Sequence, residues 1–382
     1  MISLGNLKIT TFSKPEDLEG TWRQLQSMGT SCIYQNFDWV SIAYATQERG
    51  NTPLILLGEV DGTAQFIIAL VIENAFPKIV RWPGNTHANI CNGIFSPDYL
   101  ENNTPEHTKK IVSAIRQAVP GIGMLRLGNQ LPTLAGYPNP LLSLSHQPSV
   151  NVMYDMDLRD GMDAILDAGN GKRKRKLFRR QVRVANELGG FELFTPRTDE
   201  EIRTCLEDFY TQKAARFQQL GVRDVFAPAE TRDFLYTLAT APERDGVKPL
   251  TFYELKVAGK TRALYGCSGF GDYCQAWVNS VTYDDFADLS PGEMVLYLMI
   301  EQLIEDGFTR FDLGVGTERY KKSWCKSHTT LLDVMQPLSL ASWPIVMAIK
   351  LKTAMKARIR NSETIWPKVK KLRQRISGKQ QP

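Results

Sequence analysis

The sequence predicts an α/β (α+β) protein built from two similar domains, and three observations support this. The chain has 382 residues, a length that suits two domains of roughly 100–200 residues each. Helix and strand patterns follow in the same order in both halves. The first hairpin also recurs, as Val60-Asp61-Gly62-Thr63 and as Val257-Ala258-Gly259-Lys260. These likenesses favour an internal duplication over a chance similarity of two α/β halves.

The first half is predicted to hold two helices, a hairpin of two strands, a short strand, a helix and a last strand. The hairpin is joined by Asp61-Gly62, which is a strong signal for a tight turn between strands. In chain order these elements are predicted at Pro15–Met28, 36–49, Pro53–Val60, Ala64–Ile72, Ile79–Trp82, Pro105–Ala118 and Met124–Leu127.

The second half repeats this order. Its first helix starts at Thr198, whose side chain can cap the helix while Glu201 reaches back, the pattern of a capping box. The later elements are predicted at Glu230–Ala239, Pro249–Val257, Thr261–Ser268, Tyr273–Thr282, Pro291–Asp306 and Phe308–Leu313.

The net charge of +5 is concentrated in two basic segments. Lys172–Arg183 carries eight bases and no acid, and 350–379 carries eleven bases against one acid, whereas the rest of the chain is acidic. The first segment has three interpretations: a solvated helix that links the halves, an anion-binding wall, or a nucleic-acid surface. Nucleic acid is disfavoured as a partner, because Phe178 is the one aromatic residue in the segment that could stack on a base.

Cysteine and histidine usage predicts a cytoplasmic protein without a metal site. The six cysteines are scattered without a C-x-x-C pair, and the four histidines have no metal-ligand spacing. The sequence shows no secretory signal and no stretch of about 18 apolar residues. The piece Trp343–Ile376 mixes apolar and basic positions, so a peripheral contact with the inner membrane face and a solvated surface helix both stay open.

The segment Asp284–Glu293 leads into the most apolar helix of the second half. Ser290 and Glu293 have the spacing of a capping box, with Pro291 at the first helical position. Gly292 would let another group approach the backbone of the first turn. A helix N-terminus of this kind can bind a diphosphate through its free amides, and an ordinary capped core helix is the alternative.

Three motifs follow each other at a specific spacing: Ser290-Pro291-Gly292, then Phe311-Asp312-Leu313-Gly314-Val315-Gly316, then Tyr320-Lys321-Lys322-Ser323-Trp324. Strand, turn, helix, strand and short helix in this order resemble the acyl-CoA cradle of the GNAT acetyltransferases. Over residues 30–335 the chain resembles the tandem, FemAB-like branch of that superfamily, in particular the cellulose-biosynthesis-associated (CelD-type) acetyltransferases.

The resemblance implies two tandem GNAT-like domains, each a mixed, mostly antiparallel sheet flanked by helices, and a basic C-terminal helical extension. The implied bounds are 1–150 for the N-terminal domain, 151–190 for a basic connecting segment, 191–340 for the C-terminal domain with the acyl-CoA site, and 341–382 for a basic amphipathic helical tail. The N-terminal domain would be mainly structural or would shape the acceptor site.

The resemblance also implies the site residues and the co-substrate, acetyl-CoA or another acyl-CoA. One departure from the family is that Ser290–Glu293 stands where the widespread phosphate loop Q/R-x-x-G-x-G/A would be. Residues implied to bind acyl-CoA are Asn279, Ser280, Ser290, Pro291, Gly292, Glu293, Leu313 and Gly314.

Asp312, Glu318 and Tyr320 are the candidates for catalytic acid or base. Asp312 could instead tie strand to loop, and Tyr320 could simply pack against Trp324. Lys321 and Trp324 are the candidates for substrate binding, with Lys321 holding an anionic acceptor or lying free on the surface.

The predicted activity is acyl-CoA-dependent N- or O-acyl transfer, in the first place acetyl transfer. The acceptor implied by the family is a sugar, a polysaccharide precursor or a lipid-linked envelope intermediate. Two alternatives stay open: a FemAB-like transferase that uses aminoacyl-tRNA, and a catalytically inactive accessory protein of an exopolysaccharide system.

Overall fold

The structure is a computed structural model that describes residues 6–28, 31–282 and 286–361. The strands, in chain order, are β1 (Lys8–Phe12), β2 (Thr52–Val60), β3 (Thr63–Glu73), β4 (Lys78–Arg81), β5 (Ile94–Phe95), β6 (Ile122–Gln130), β7 (Thr133–Leu134), β8 (Tyr137–Pro138), β9 (His146–Asp157), β10 (Phe191–Phe194), β11 (Val247–Val257), β12 (Lys260–Phe270), β13 (Tyr273–Val281), β14 (Arg310–Val315) and β15 (Thr329–Pro337).

Eleven α-helices accompany these strands in the described residues. They are α1 (Glu19–Gln26), α2 (Phe37–Thr46), α3 (Pro97–Asn102), α4 (Pro105–Ala118), α5 (Gly161–Asp167), α6 (Gly171–Glu187), α7 (Asp199–Leu220), α8 (Ala229–Thr240), α9 (Pro291–Glu305), α10 (Arg319–Trp324) and α11 (Trp343–Asn361).

The predicted elements are present, with ends that differ by a few residues. The turn between β2 and β3 is Asp61-Gly62, and both residues have the positive φ that a two-residue hairpin turn requires. The capping box at the start of α7 is formed by Thr198 and Glu201 as predicted. The strands outside the predicted elements are β1, β5, β7, β8, β9, β10 and β15.

The described chain divides into two compact units. The first contains residues 6–152 and Thr329–Arg360, and the second contains Met153–His328. In the first unit the strand order is β1-β2-β3-β4-β6-β15, with β5 beside β3. Neighbours are antiparallel except for β4 and β6, which run parallel.

The second unit repeats this topology. Its strand order is β9-β14-β13-β12-β11-β10, and the one parallel pair is β13 with β14. In each unit the parallel pair consists of the strand after the hairpin and the strand after the next long helix. These are β4 and β6, with α4 before β6, and β13 and β14, with α9 before β14. The prediction of two similar domains, each with a mixed and mostly antiparallel sheet flanked by helices, is confirmed.

One end strand of each unit, β15 in the first and β9 in the second, comes from an unexpected part of the chain. β15 follows the whole second half in sequence, yet it pairs with β6 of the first unit. The part of β9 from Met153 onward pairs with β14 of the second unit, although it directly follows the first half. The unit bounds therefore differ from the predicted domain bounds, because 329–340 belongs to the first unit and the basic helix α6 lies inside the second.

Helices cover both faces of the sheet in the second unit. On β12, Cys267 contacts Met299 of α9 at 3.7 Å between the two sulfur atoms. The neighbouring Ser268 accepts a hydrogen bond from Trp277, whose ring packs against Phe234 of α8. Because successive side chains of a strand point to opposite faces, α9 and α8 lie on opposite sides of the sheet.

The helical extension at the C-terminus is present as α11, and residues 362–382 of the predicted tail lie outside the described residues. Within the first unit, Val346 of α11 is buried against Met124 and Met335. Across the described ranges, no helix combines the length and the apolar character that crossing a membrane requires.

Candidate active site

Strands β13 and β14 part in the middle of the second unit. They are paired at three positions only, Tyr273 with Arg310, Cys274 with Phe311, and Gln275 with Asp312. Beyond these pairs β13 continues for six residues to Val281 and β14 for three to Val315 without pairing to each other. This splay leaves an opening between the two strands.

Tyr320 of α10 contacts the β13 side of this opening. Its phenol oxygen accepts a hydrogen bond from Asn279 Nδ2 at 3.2 Å and is also hydrogen-bonded to Tyr265 of β12. Burial raises the pKa of Tyr320 to about 12, so this phenol keeps its proton at neutral pH. With both oxygen lone pairs engaged, the phenolic O–H is left to donate to a further acceptor.

Asp312 is fully buried at the last paired position of β14. Its carboxylate accepts hydrogen bonds from Gly314 N at 2.7 Å, from the Tyr273 hydroxyl at 3.3 Å and from Gln275 at 3.5 Å. Burial raises the pKa of Asp312 to about 6. The enclosed carboxylate holds the left-handed turn at Gly314 (φ 74°). This is the structural role, tying strand to loop, that the sequence left open for Asp312.

Lys321 supports the same turn from the other side. Its ammonium donates to the carbonyls of Gly314 at 3.2 Å and Val315 at 2.8 Å, and Glu318 lies 3.4 Å away. Burial lowers the pKa of Lys321. The three N–H groups of the ammonium thus have three partners, whereas the Glu318 carboxylate is half exposed and open to solvent.

The N-terminus of α9 differs from the predicted capping box. Ser290 adopts a left-handed conformation (φ 54°, ψ 57°), and its side chain caps no amide. Its carbonyl accepts from the amides of Glu293 and Met294, and Pro291 has no N–H. Among the described hydrogen bonds of this turn, the amide of Gly292 is the one left for a ligand. Asp284 and Asp285, the first two residues of the segment Asp284–Glu293 that leads into this helix, lie outside the described residues.

The Glu293 side chain contacts Trp324 instead of the helix end. The indole N–H of Trp324 donates to its carboxylate at 3.0 Å, and Lys174 Nζ lies 3.7 Å from the same oxygen. Lys174 also lies 3.7 Å from the centre of the Trp324 ring and donates to Ser323 at 3.1 Å. One base of the predicted basic segment is therefore built into the site, and α6 is fixed beside α9.

The predicted site residues thus form contacts in three groups within the second unit. Asn279 meets Tyr320, Glu293 meets Trp324, and Asp312 and Lys321 meet at the turn of Gly314. Ser280 is separate from these groups, because its buried hydroxyl donates to Gln212 of α7 at 2.6 Å.

Lys213 of α7 is a further ionisable residue whose pKa is affected by Glu318 and Lys321 of the site, and the sequence motifs did not single it out. Its ammonium lies 5.5–5.8 Å from the ring centres of Phe209, Phe217 and Phe226. Burial lowers the pKa of Lys213 to about 8, while Asp224 and Glu318 raise it. The signal was present in the sequence, because positions 209, 213 and 217 are four residues apart and a lysine stands between two phenylalanines on one helix face.

The family comparison decides the nature of this second unit. Residues 172–322 match the protein-family model described as the Acetyltransferase (GNAT) domain. The chain carries a GNAT acetyltransferase domain and is a transferase. The matched residues begin in α6 and end in α10, so they include the parted strands, the N-terminus of α9 and Tyr320.

Solved structures are similar to this chain over most of its length, and sequence identity to them is low. FemX has a TM-score of 0.61 at 10% identity, covering 90% of this chain and 99% of that one. The C-terminal domain of a putative lysylphosphatidylglycerol synthetase from Agrobacterium fabrum has a TM-score of 0.56 at 13% identity, with 90% and 96% covered. These likenesses concern the fold. The search of curated proteins finds no match.

Proposed function

We propose that the protein is an acyl-CoA-dependent N- or O-acyltransferase that transfers acetyl or another acyl group to a sugar, a polysaccharide precursor or a lipid-linked envelope intermediate, as in the CelD-type family. The observation that carries the proposal is the parted pair β13 and β14, with the protonated phenol of Tyr320 against β13 and with α9 starting beyond it. The acyl-CoA contacts are assigned to Asn279, Ser290, Pro291, Gly292, Glu293, Leu313 and Gly314. Ser280 would contribute through its backbone, because its hydroxyl donates to Gln212.

Each ionisable group of the site has a separate task in this proposal. Glu318, being exposed, accepts the proton of the attacking amine or hydroxyl as a new bond forms to the thioester carbonyl carbon. Tyr320 donates to the sulfur as the carbon–sulfur bond breaks. Asp312 acts as a positioning residue, because it is enclosed and holds the backbone at Gly314. Lys321 and Trp324 support the same walls, and an anionic acceptor would meet Lys321 only after the lysine leaves its carbonyl partners.

Titration with acetyl-CoA tests the proposal. We expect binding in the micromolar range by calorimetry and at least tenfold weaker binding to Gly292→Asp, because a carboxylate there repels a diphosphate at the helix start. Gly292→Asn is the matched control: it brings a side chain of the same size toward Val281, which already lies 3.1 Å from a Cβ built at Gly292. Equal affinities of the Asp and Asn variants would contradict the diphosphate contact.

A FemAB-like transferase that uses aminoacyl-tRNA is the second candidate, favoured by the fold likeness to FemX and to the lysylphosphatidylglycerol synthetase domain. The exposed bases of α6 would then bind the tRNA. Tight tRNA binding whose affinity falls steeply with salt, together with no acetyl-CoA binding, would establish this candidate in place of the first.

We further propose peripheral contact of α11 with the inner membrane face. The apolar side chains Trp343, Met347, Leu351 and Met355 follow at four-residue spacing and are each more than half exposed, with lysines beside them at 350 and 352. Co-sedimentation with phosphatidylglycerol vesicles should fall severalfold in Leu351→Ser/Met355→Ser and stay unchanged in Leu220→Ser, an exposed leucine of α7. Equal pelleting of all three proteins would discard the contact.

A further inference from the structure

A groove of about 370 Å³ lies between α6 and the turn that precedes α9. This volume is in the range of small-molecule sites, which are mostly apolar with a few polar groups. The groove is lined by Leu177, Arg180, Gln181, Val184, Leu188, Phe286, Asp288 and Leu289.

The walls of the groove are held in place by Gln181. This buried side chain donates to the carbonyls of Leu289 at 2.8 Å and Ser290 at 3.0 Å, so it ties α6 to the turn. On either side of Gln181, α6 presents Leu177 and Val184 to the groove. These two hydrogen bonds set the spacing between α6 and the turn at the groove.

Besides Gln181, three side chains give the groove its chemistry: Phe286, Arg180 and the exposed carboxylate of Asp288. Phe286 offers a flat ring, whose contact with the Arg262 guanidinium at 3.9 Å holds it in place. Arg180 is exposed, and no ion pair joins it to a carboxylate anywhere in the described part of the chain. A guanidinium is suited to bind phosphate through two hydrogen bonds, and apolar walls around an aromatic ring suit a planar base.

We propose that this groove binds the adenosine 3′-phosphate end of acyl-CoA, with the adenine among Phe286, Leu177 and Val184 and the 3′-phosphate on Arg180. The inference rests on the proposed acyl-CoA dependence and extends it. Leu289 of the groove is three residues before Gly292, where the diphosphate is assigned, and three residues span at most about 10 Å. A nucleotide joined to that diphosphate therefore reaches the groove.

The consequence is a donor preference. A site that binds the nucleotide end selects free acyl-CoA over an acyl group on the pantetheine arm of a carrier protein, which has no adenosine. The preference would come from α6. In the acyl-CoA proposal this basic helix contributes Lys174 to the site, and its other bases have no assigned ligand.

Calorimetry with CoA and 3′-dephospho-CoA tests the groove. The unchanged protein should bind CoA about tenfold more tightly than dephospho-CoA, as expected for one charge-assisted phosphate contact. Arg180→Gln should bring this ratio to about one and leave the dephospho-CoA affinity unchanged. Arg179→Gln is the matched control, since Arg179 is exposed on the same helix and does not line the groove, and it should keep the full ratio.

The outcomes separate this inference from the proposed function. If CoA binds and Gly292→Asp weakens it, but Arg180→Gln keeps the CoA preference, the groove assignment is wrong and the acyl-CoA dependence stands. The groove assignment is also wrong if CoA and dephospho-CoA bind the unchanged protein equally. If neither CoA nor acetyl-CoA binds, both are wrong. An occupant of another kind, such as a long acyl chain, would show as tighter binding of palmitoyl-CoA that is insensitive to Arg180→Gln.

Discussion

At the scale of single residues, Tyr320 combines two properties that a donor to a leaving thiolate needs. Burial raises the pKa of its phenol to about 12, so the proton is present at every pH at which the enzyme would work. Its oxygen is held by Asn279 and Tyr265, so the O–H direction is restricted before any ligand arrives. A donor oriented in advance costs less reorganisation when charge develops on the sulfur.

Tyr320→Phe should therefore lower kcat by about a hundredfold, the size of effect typical of losing one catalytic proton donor, and change the Kd of acetyl-CoA little. Release of the CoA thiol, followed with an aromatic disulfide reagent, measures the first quantity, and calorimetry measures the second. Tyr236→Phe, which alters a half-buried tyrosine of α8 outside the site, should change neither. A kcat of Tyr320→Phe within threefold of the original would remove Tyr320 from the chemistry.

Lys213 sets a pH dependence of stability. Burial lowers the pKa of its ammonium to about 8, below the value of roughly 10.4 expected in the unfolded chain. Between these values the unfolded chain binds the extra proton, so stability rises with pH, and below about pH 8 the buried charge imposes its full cost.

Lys213→Met should raise the free energy of unfolding by about 1–3 kcal/mol at pH 7 and lose most of that gain by pH 10. Urea denaturation at the two pH values measures the difference. Lys14→Met, at an exposed lysine, should give no pH-dependent gain. The same gain for Lys213→Met at both pH values would show that burial of the charge is not its cause.

At the scale of elements, two capping-box motifs of the same spacing show what local sequence can predict. The capping box of Thr198 and Glu201 forms, and the Glu201 carboxylate accepts hydrogen bonds from the neighbouring amides of Thr198 and Arg197. The same spacing at Ser290 and Glu293 fails, because Trp324 and Lys174 take the Glu293 carboxylate. Both competitors are distant in sequence, so no window around residue 290 could have revealed them.

The hydrogen bonds of Gln181, which tie α6 to the turn before α9, also join residues that are distant in sequence. Gln181→Ala leaves the carbonyls of Leu289 and Ser290 without their donor, and we expect the free energy of unfolding to fall by about 1–3 kcal/mol. Denaturant titration measures this change. Asn186→Ala on the exposed side of the same helix should stay within about 0.5 kcal/mol, and an equal loss there would point to helix propensity as the cause.

At the scale of the whole molecule, the helix and strand order was predictable and the partners of two strands were not. The pairing of a hairpin such as β2–β3 is predictable from the turn that joins its strands. β9 and β15 pair with strands more than 150 residues away, and the sequence beside them carries no signal for that distance. Motif order placed Asn279, Tyr320 and Gly314 among the candidate residues. The contact of Ser280 with Gln212 of α7 depends on tertiary packing, which no local pattern signals.

The pairing of β15 with β6 predicts how the first unit behaves when it is isolated. A fragment of residues 1–152 leaves the edge of β6 unpaired and Met124 uncovered, so it should aggregate or unfold without cooperativity. The same fragment joined to 329–361 through a Gly/Ser linker of about 15 residues should be monomeric with a sharp thermal transition. Circular dichroism and size-exclusion chromatography distinguish the two. A sharp transition of 1–152 alone would contradict the prediction.

The position of β15 also fixes an order of events during synthesis on the ribosome. The chain must grow by a further 185 residues after Val152 before Pro337, the last residue of β15, has been added. At elongation rates of about 5–20 residues per second, the nascent first unit waits on the order of 10 to 40 s with an open sheet edge. Chaperones that recognise exposed strands would have their longest opportunity to bind this protein in that interval.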